Sequence, residues 1–297
     1  MTILLDGSMG QELIRRGVSG HDLLWSAGAL LESPETVREI HADYIEAGAD
    51  IITTNTYAAT RPVLGKAGLE GRFVELNHLA CQLALEARDR CGLPVMIAGS
   101  LPPYQESYRP DLVGRFDEIE PLYREQAELQ SPYVDLFLCE TMSTASEARA
   151  AASGAASSGK PVWVSWTLQD QPQEDGSVRL RSGETLAEGL AALAGLDVAA
   201  VLVNCSPPEV IDLAMPALKG LTDLPFGAYG NAFMPIPPLW EHHVDADLPP
   251  PRTDLDPETY AMHARCWLEA GAAIVGGCCE VGPAHIRELK RLIEACQ

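Results

Sequence analysis

The chain has 297 residues, 46% hydrophobic and 21% charged, enough apolar material for one large domain or two ordinary ones. Its net charge of −21 argues against nucleic acid or an anionic membrane as partner, because a polyanion would be repelled. No run approaches the ~20 apolar residues that cross a bilayer, and the N-terminus meets Asp6 too early for a signal peptide, so a cytoplasmic protein is expected.

In chain order, short apolar runs alternate eight times with amphipathic windows. A strand predicted over 3–7 precedes a helix over 35–48; 51–56 precedes 70–91; 94–101 precedes 117–130; 135–141 precedes 145–158. The second half repeats the pattern, with strands over 161–168, 199–205, 224–231 and 272–279 before helices over 184–195, 207–219, 257–270 and 283–295. Most of the runs are continuously Val/Ile/Leu-rich, as parallel strands covered on both faces require. Ser33-Pro34-Glu35 and Asp256-Pro257-Glu258 read as helix starts, with a capping side chain, a first-turn proline and an acid near the dipole; Gly48 and Gly271 read as helix stops. Eight βα units predict a single (β/α)8 barrel domain over 1–297. A doubly wound sheet is the alternative, but no Gly-x-Gly-x-x-Gly follows a strand. Two long loops, 169–183 and the proline-rich 232–256, are expected to shape the mouth.

Barrel chemistry collects where strands end. Those ends carry Asp6, Thr54-Asn55-Thr56-Tyr57, Ser100, Glu140-Thr141, Ser165-Trp166-Thr167, Asn204-Cys205, Tyr229-Gly230-Asn231 and Cys278-Cys279. Of eight cysteines, Cys81, Cys91, Cys266 and Cys296 fall on predicted helices or helix ends, where a small buried hydrophobe is the usual role. Cys278 and Cys279 can serve one ion only if the chain leaves extended geometry, which Gly276-Gly277 would permit. With Cys205 they make three thiolates and an open position, the ligand count of a catalytic zinc. A vicinal disulfide, or three buried thiols without metal, are the other readings. Zinc held by three thiolates is a poor Lewis acid for water, and its soft donor set favours a thiol as incoming ligand. That thiol would lose its proton and attack an electrophilic carbon.

These residues resemble the homocysteine S-methyltransferases, the group that includes betaine- and S-methylmethionine-dependent enzymes and the homocysteine module of cobalamin-dependent methionine synthase. The resemblance lies in Leu4-Leu5-Asp6-Gly7-Ser8-Met9-Gly10, Leu24-Trp25-Ser26-Ala27, Gly48-Ala49-Asp50-Ile51-Ile52-Thr53-Thr54-Asn55-Thr56-Tyr57, Cys139-Glu140-Thr141, Val203-Asn204-Cys205 and Gly276-Gly277-Cys278-Cys279. It spans nearly the whole chain. It implies a barrel, Zn2+ on Cys205, Cys278 and Cys279, and homocysteine as methyl acceptor, giving methionine. Asp6 and Glu140 would hold the homocysteine ammonium, with backbone amides near Gly7 and Ser8 and in the Thr54-Asn55-Thr56 turn facing its carboxylate and Asn204 nearby. Asn231 would fill the vacant zinc position before substrate arrives. The chain departs from the family pattern at Ser100-Leu101-Pro102-Pro103-Tyr104, at Ala232-Phe233 and at Glu280, which touches the donor side rather than the sulfurs.

Donors of this family are often cationic, and aromatic faces bind such groups. Trp25, Tyr57 and Tyr104 are the donor-wall candidates, with Tyr229, Phe233 and Trp240 behind them; S-methylmethionine or S-adenosylmethionine is the expected donor, then betaine. A Schiff-base aldolase would need a strand-end lysine, and Lys66, Lys160, Lys219 and Lys290 lie elsewhere. A histidine metallohydrolase fails on the same ground, His242-His243 being a loop pair. The remaining rivals are a zinc-holding or thiol-redox barrel without transfer activity, and a methyltransferase for another thiol or selenol.

Overall fold

The computed structural model describes residues 2–18, 24–236 and 249–296. Trp240, His21, His242 and His243 lie outside the described residues. In chain order the elements are β1 (Ile3–Leu4), α1 (Met9–Arg15), α2 (Ala29–Glu32), α3 (Pro34–Glu46), β2 (Ile51–Thr53), α4 (Arg61–Lys66), α5 (Phe73–Cys91), β3 (Met96–Leu101) and α6 (Phe116–Gln130). There follow β4 (Leu136–Met142), α7 (Ala145–Ala156), β5 (Val162–Trp166), α8 (Leu186–Ala192), β6 (Ala200–Asn204), α9 (Pro208–Leu221), β7 (Phe226–Gly230), α10 (Pro257–Ala270), β8 (Ile274–Gly277) and α11 (Pro283–Ala295).

All eight strands pair in parallel in the order β1-β8-β7-β6-β5-β4-β3-β2. The two ends of that order meet at the Leu5–Ile51 bridge, where the Asp6 N–H donates to the Ile51 carbonyl at 3.0 Å, closing the barrel. Inward side chains, among them Leu5, Ile51, Leu138, Trp163, Leu202 and Ile274, form one packed cluster, and a larger apolar layer lies between the strands and the helices. Both strand faces are therefore buried, which accounts for the unbroken apolar runs.

Local chemistry explains most boundaries. Asp256 caps α10 by accepting from the Thr259 N–H at 2.8 Å, and Gly48 and Gly271 adopt the left-handed φ of +104° and +110° that follows a helix end. Ser33 departs from expectation: its side chain makes no capping bond, and its carbonyl accepts from Thr36 instead. α1, α2 and α4 carry no sequence signal of their own. They are four to seven residues long, too short to carry a readable apolar period. Cys81 is a core residue as expected, whereas Cys91 is half-buried and Cys266 and Cys296 are exposed. No described helix is long and apolar enough to cross a membrane.

Candidate active site

The C-terminal mouth of the barrel holds a cavity of about 210 Å³ lined by residues from most of the strand ends. Cys205, Cys278 and Cys279 all reach it, with their sulfurs within 4.8 Å of one another. Cys205 Sγ and Cys279 Sγ lie 3.6 Å apart, close to the ~3.8 Å between thiolates sharing a tetrahedral zinc with ~2.3 Å bonds. No disulfide joins them. Among the described residues they are the one group of three or more His, Cys, Asp or Glu side chains arranged to hold a metal. Hydrogen bonds from Cys278, then Cys279, and behind them Tyr108, hold the Cys205 thiol well below the ordinary range against the opposing effect of burial. Cys278 and Cys279, which donate to it, are pushed up. A cation held there would draw out the protons of the three thiols.

The adjacent cysteines leave the strand as expected, but for a different reason. Gly276 and Gly277 are regular strand residues; a Cβ would meet Leu5 Cβ at 2.6 Å and Val281 Cγ1 at 2.1 Å. Glycine is required there for close packing, and the turn is made further on, with Glu280 at φ +64° and the Val281 N–H donating to the Cys278 carbonyl.

Two buried carboxyls share the cavity with the sulfurs. Asp6 accepts from the Thr53 N–H at 2.7 Å and the Thr53 hydroxyl at 3.0 Å. Burial nevertheless raises its pKa to about 8, with nearby Glu140 adding to the rise. Glu140 accepts from the Ser100 hydroxyl at 2.5 Å and the Tyr229 hydroxyl at 3.3 Å; burial raises it to about 7. Glu140 is aimed by an irregularity in β4: the register with β5 shifts between Cys139 and Met142, and Thr141 sits at φ +62°. Asn204 stabilises that turn. Its Oδ1 accepts from the Thr141 N–H and the Ser165 hydroxyl, and its Nδ2 donates to the Thr141 hydroxyl.

The expected set is therefore only partly assembled. Gly7, Ser8, Thr54, Asn55, Trp25 and Tyr57 line the cavity. Asn204 does not; with its polar atoms used on Thr141 and Ser165, it positions the Glu140 turn. Asn231 does not line it either, and its Oδ1 accepts from the Phe233 N–H. Tyr104 is turned into the core, edge-on to Tyr123, because Pro102 and Pro103 carry the chain over the rim first. Of the amides proposed to face a carboxylate, Ser8, Thr54 and Thr56 already donate to Val281, Ala98 and Thr54 carbonyls. Those of Gly7 and Asn55 make no hydrogen bond among the described residues. Asn55 donates to the Ser26 carbonyl, and its Oδ1 is buried without a partner among the described residues. Cys139 is plain core, facing the helix layer.

Several residues of the mouth had no sequence signature. Tyr108 places its hydroxyl 2.7 Å from Cys205 Sγ. Lys66 lines the cavity from α4 and pairs with Glu106, and Tyr57 is tied to Ser107 at 2.7 Å. A further signal is backbone strain. The described non-glycine residues with positive φ are Trp25, Tyr108, Thr141, Cys205 and Glu280; four line the cavity and the fifth follows Cys279. Each such conformation costs on the order of 1–3 kcal/mol and persists only where the surroundings impose it.

A profile described as homocysteine S-methyltransferase matches residues 3–293. The homocysteine S-methyltransferase of Escherichia coli K12 is 34% identical over 97% of this chain and 94% of its own. YbgG of Bacillus subtilis 168, also named a homocysteine S-methyltransferase, is 30% identical over 97% and 93%. Among solved structures, the metallated form of the Escherichia coli homocysteine methyltransferase MmuM superimposes with a TM-score of 0.81 at 33% identity, covering 98% of this chain and 96% of that one.

Proposed function

Because the chain belongs to the homocysteine S-methyltransferase family, we propose that it moves a methyl group from a cationic donor to homocysteine, giving methionine, with Zn2+ on Cys205, Cys278 and Cys279. Residues 1–297 act as one homocysteine-binding barrel domain, in a cytoplasm that keeps the three thiols reduced. The observation that carries this reading is the convergence of three free thiols and two buried carboxyls on one cavity. Zinc held there would supply an open position at which a thiol gives up its proton and stays nucleophilic.

The carboxyls explain why that thiol belongs to an amino acid. Asp6 and Glu140 hold their protons towards neutral pH because burial penalises two negative charges. An ammonium between them would remove the penalty and release those protons. The Asn55 Oδ1, without a partner among the described residues, offers a further acceptor for an ammonium N–H, and the Gly7 and Asn55 amides can donate to a carboxylate. Thr53, Ser100 and Tyr229 fix both carboxyls before substrate arrives.

The outer cavity bears on the donor. Trp25 and Tyr57 offer aromatic faces to a methyl cation. Lys66, the one basic residue among the described residues lining the cavity, is paired with Glu106 beyond them. A carboxylate for Lys66 and an ammonium for Glu106 describe an amino-acid sulfonium such as S-methylmethionine better than betaine, whose quaternary nitrogen has no N–H to donate.

The test is zinc content together with methionine formation from homocysteine with S-methylmethionine, S-adenosylmethionine and betaine in turn. Cys278→Ala is expected to lose both zinc and turnover. Full zinc and full activity in that variant would refute the proposed centre, and bound zinc with no turnover on any donor would favour a non-catalytic zinc-holding barrel.

A further inference from the structure

A three-cysteine site that handles methyl cations faces a chemical hazard, because its own thiolates are nucleophiles placed beside the donor. Cys205 is open to this, because it lines the same cavity as Trp25 and Tyr57. It also has a close polar neighbour besides Cys279, which is 3.6 Å away. The Tyr108 hydroxyl sits 2.7 Å from its sulfur.

Tyr108 is held there by a bracket built from three separate loops. Its own backbone is strained, at φ +63°. The Arg181 guanidinium lies over its ring, 5.0 Å from the centroid, where cation–π attraction also makes the phenol a stronger donor. Arg181 is fixed by Asp170 at 2.7 Å, both side chains more than nine-tenths buried. The second Asp170 oxygen accepts from the Ile236 N–H, and Ile236 packs with Tyr108 and Cys205 in one small apolar cluster. A buried ion pair contributes little net stability once desolvation is counted. Its geometry, however, determines where the phenol points.

We propose that Tyr108 is a positioning residue that donates a hydrogen bond to the Cys205 thiolate and so protects it from methylation by the donor. A donated hydrogen bond withdraws electron density from sulfur, leaving the incoming substrate sulfur the strongest nucleophile in the cavity. The side reaction it suppresses is balanced: the Cys205 sulfur forms a bond to the methyl carbon, the donor's carbon–sulfur bond breaks, and the electron pair leaves with a neutral thioether. The inference rests on the proposed thiol-methylating centre for its biological sense, but its test does not need turnover.

The experiment exposes the zinc-loaded protein, without homocysteine, to iodomethane and follows the 14-Da increment on each cysteine by peptide mass spectrometry. In Tyr108→Phe, Cys205 should be methylated about tenfold faster than in the wild type, with Cys278 and Cys279 unchanged, since a hydrogen bond to a charged acceptor is commonly worth at least that factor. In cobalt-substituted protein the sulfur-to-metal charge-transfer band should shift. Asp170→Asn, which loosens the bracket without removing the hydroxyl, should give a smaller increase at Cys205 alone, and it stands in if Tyr108→Phe does not fold. Equal rates in wild type and both variants, or a rise shared by all three cysteines, would overturn the proposal. Absence of methionine formation from any donor would count against the proposed function and leave this result standing.

Discussion

Asp6→Asn should stabilise the protein while weakening it as an enzyme. The Asn Oδ1 can accept from the Thr53 N–H, and its Nδ2 can donate to the Thr53 hydroxyl, so both local hydrogen bonds of Asp6 have replacements. What disappears is a buried acid. Its pKa rises on folding from 3.8 to about 8, chiefly through burial. Between these values the folded protein holds a proton that the unfolded chain has released, so stability is greatest below pH ~4 and is lost as pH climbs towards 8. At ~1.4 kcal/mol per tenfold change in proton affinity, the ceiling is ~6 kcal/mol when Asp6 is fully ionised and ~4 kcal/mol at pH 7. Thermal unfolding from pH 4 to 8 would show it. The variant should be within ~1 kcal/mol of the wild type at pH 4 and several degrees more stable at pH 7. Homocysteine, whose ammonium would remove the penalty, should stabilise the wild type more than the variant. A difference in melting temperature independent of pH, or a variant less stable at pH 7, would refute the account of Asp6 as an acid kept in reserve for a cation.

Three other outcomes follow from the geometry. Trp25→Leu should lower kcat/KM for the methyl donor by roughly 3- to 30-fold, the worth of a partly desolvated cation–π contact, while leaving the KM for homocysteine within about twofold; equal effects on both substrates would mean that Trp25 merely packs. Lys66→Gln should raise the KM for S-methylmethionine by a few-fold, as expected for a half-exposed ion pair, and leave turnover with a simple trimethylsulfonium donor unchanged. A general loss with both donors would remove Lys66 from donor recognition. In Gly277→Ala the new Cβ would lie 2.1 Å from Val281 Cγ1, so a loss of ~1–3 kcal/mol and weaker zinc retention are expected. Adding Val281→Ala should recover part of both, measured by denaturant unfolding and chelator competition; no recovery would place the clash elsewhere.

The barrel was legible because its cause is local and repeated. Eight apolar runs, each followed by an amphipathic window, leave parallel strands covered on both faces as the natural solution. The sulfur centre was legible too: Cys205 and Cys278-Cys279 stand at strand ends, and their chemistry follows from side-chain identity. Asp6 and Glu140 share that advantage. What sequence position alone misassigned was direction. Asn204, Asn231 and Tyr104 stand at suitable strand ends or loops, but hydrogen bonds to Thr141, Ser165 and Phe233, and packing on Tyr123, turn them away from the cavity. Lys66 and Tyr108 lie on a short helix and an irregular loop with no periodic signal, and contacts with Glu106, Arg181 and Cys205 bring them to the site. Residue type and strand order thus determined the fold and the metal chemistry, since both depend on properties each segment carries by itself. Which side chains face the substrate depended on hydrogen bonds and packing between segments far apart in the chain, and only the folded barrel brings those segments together.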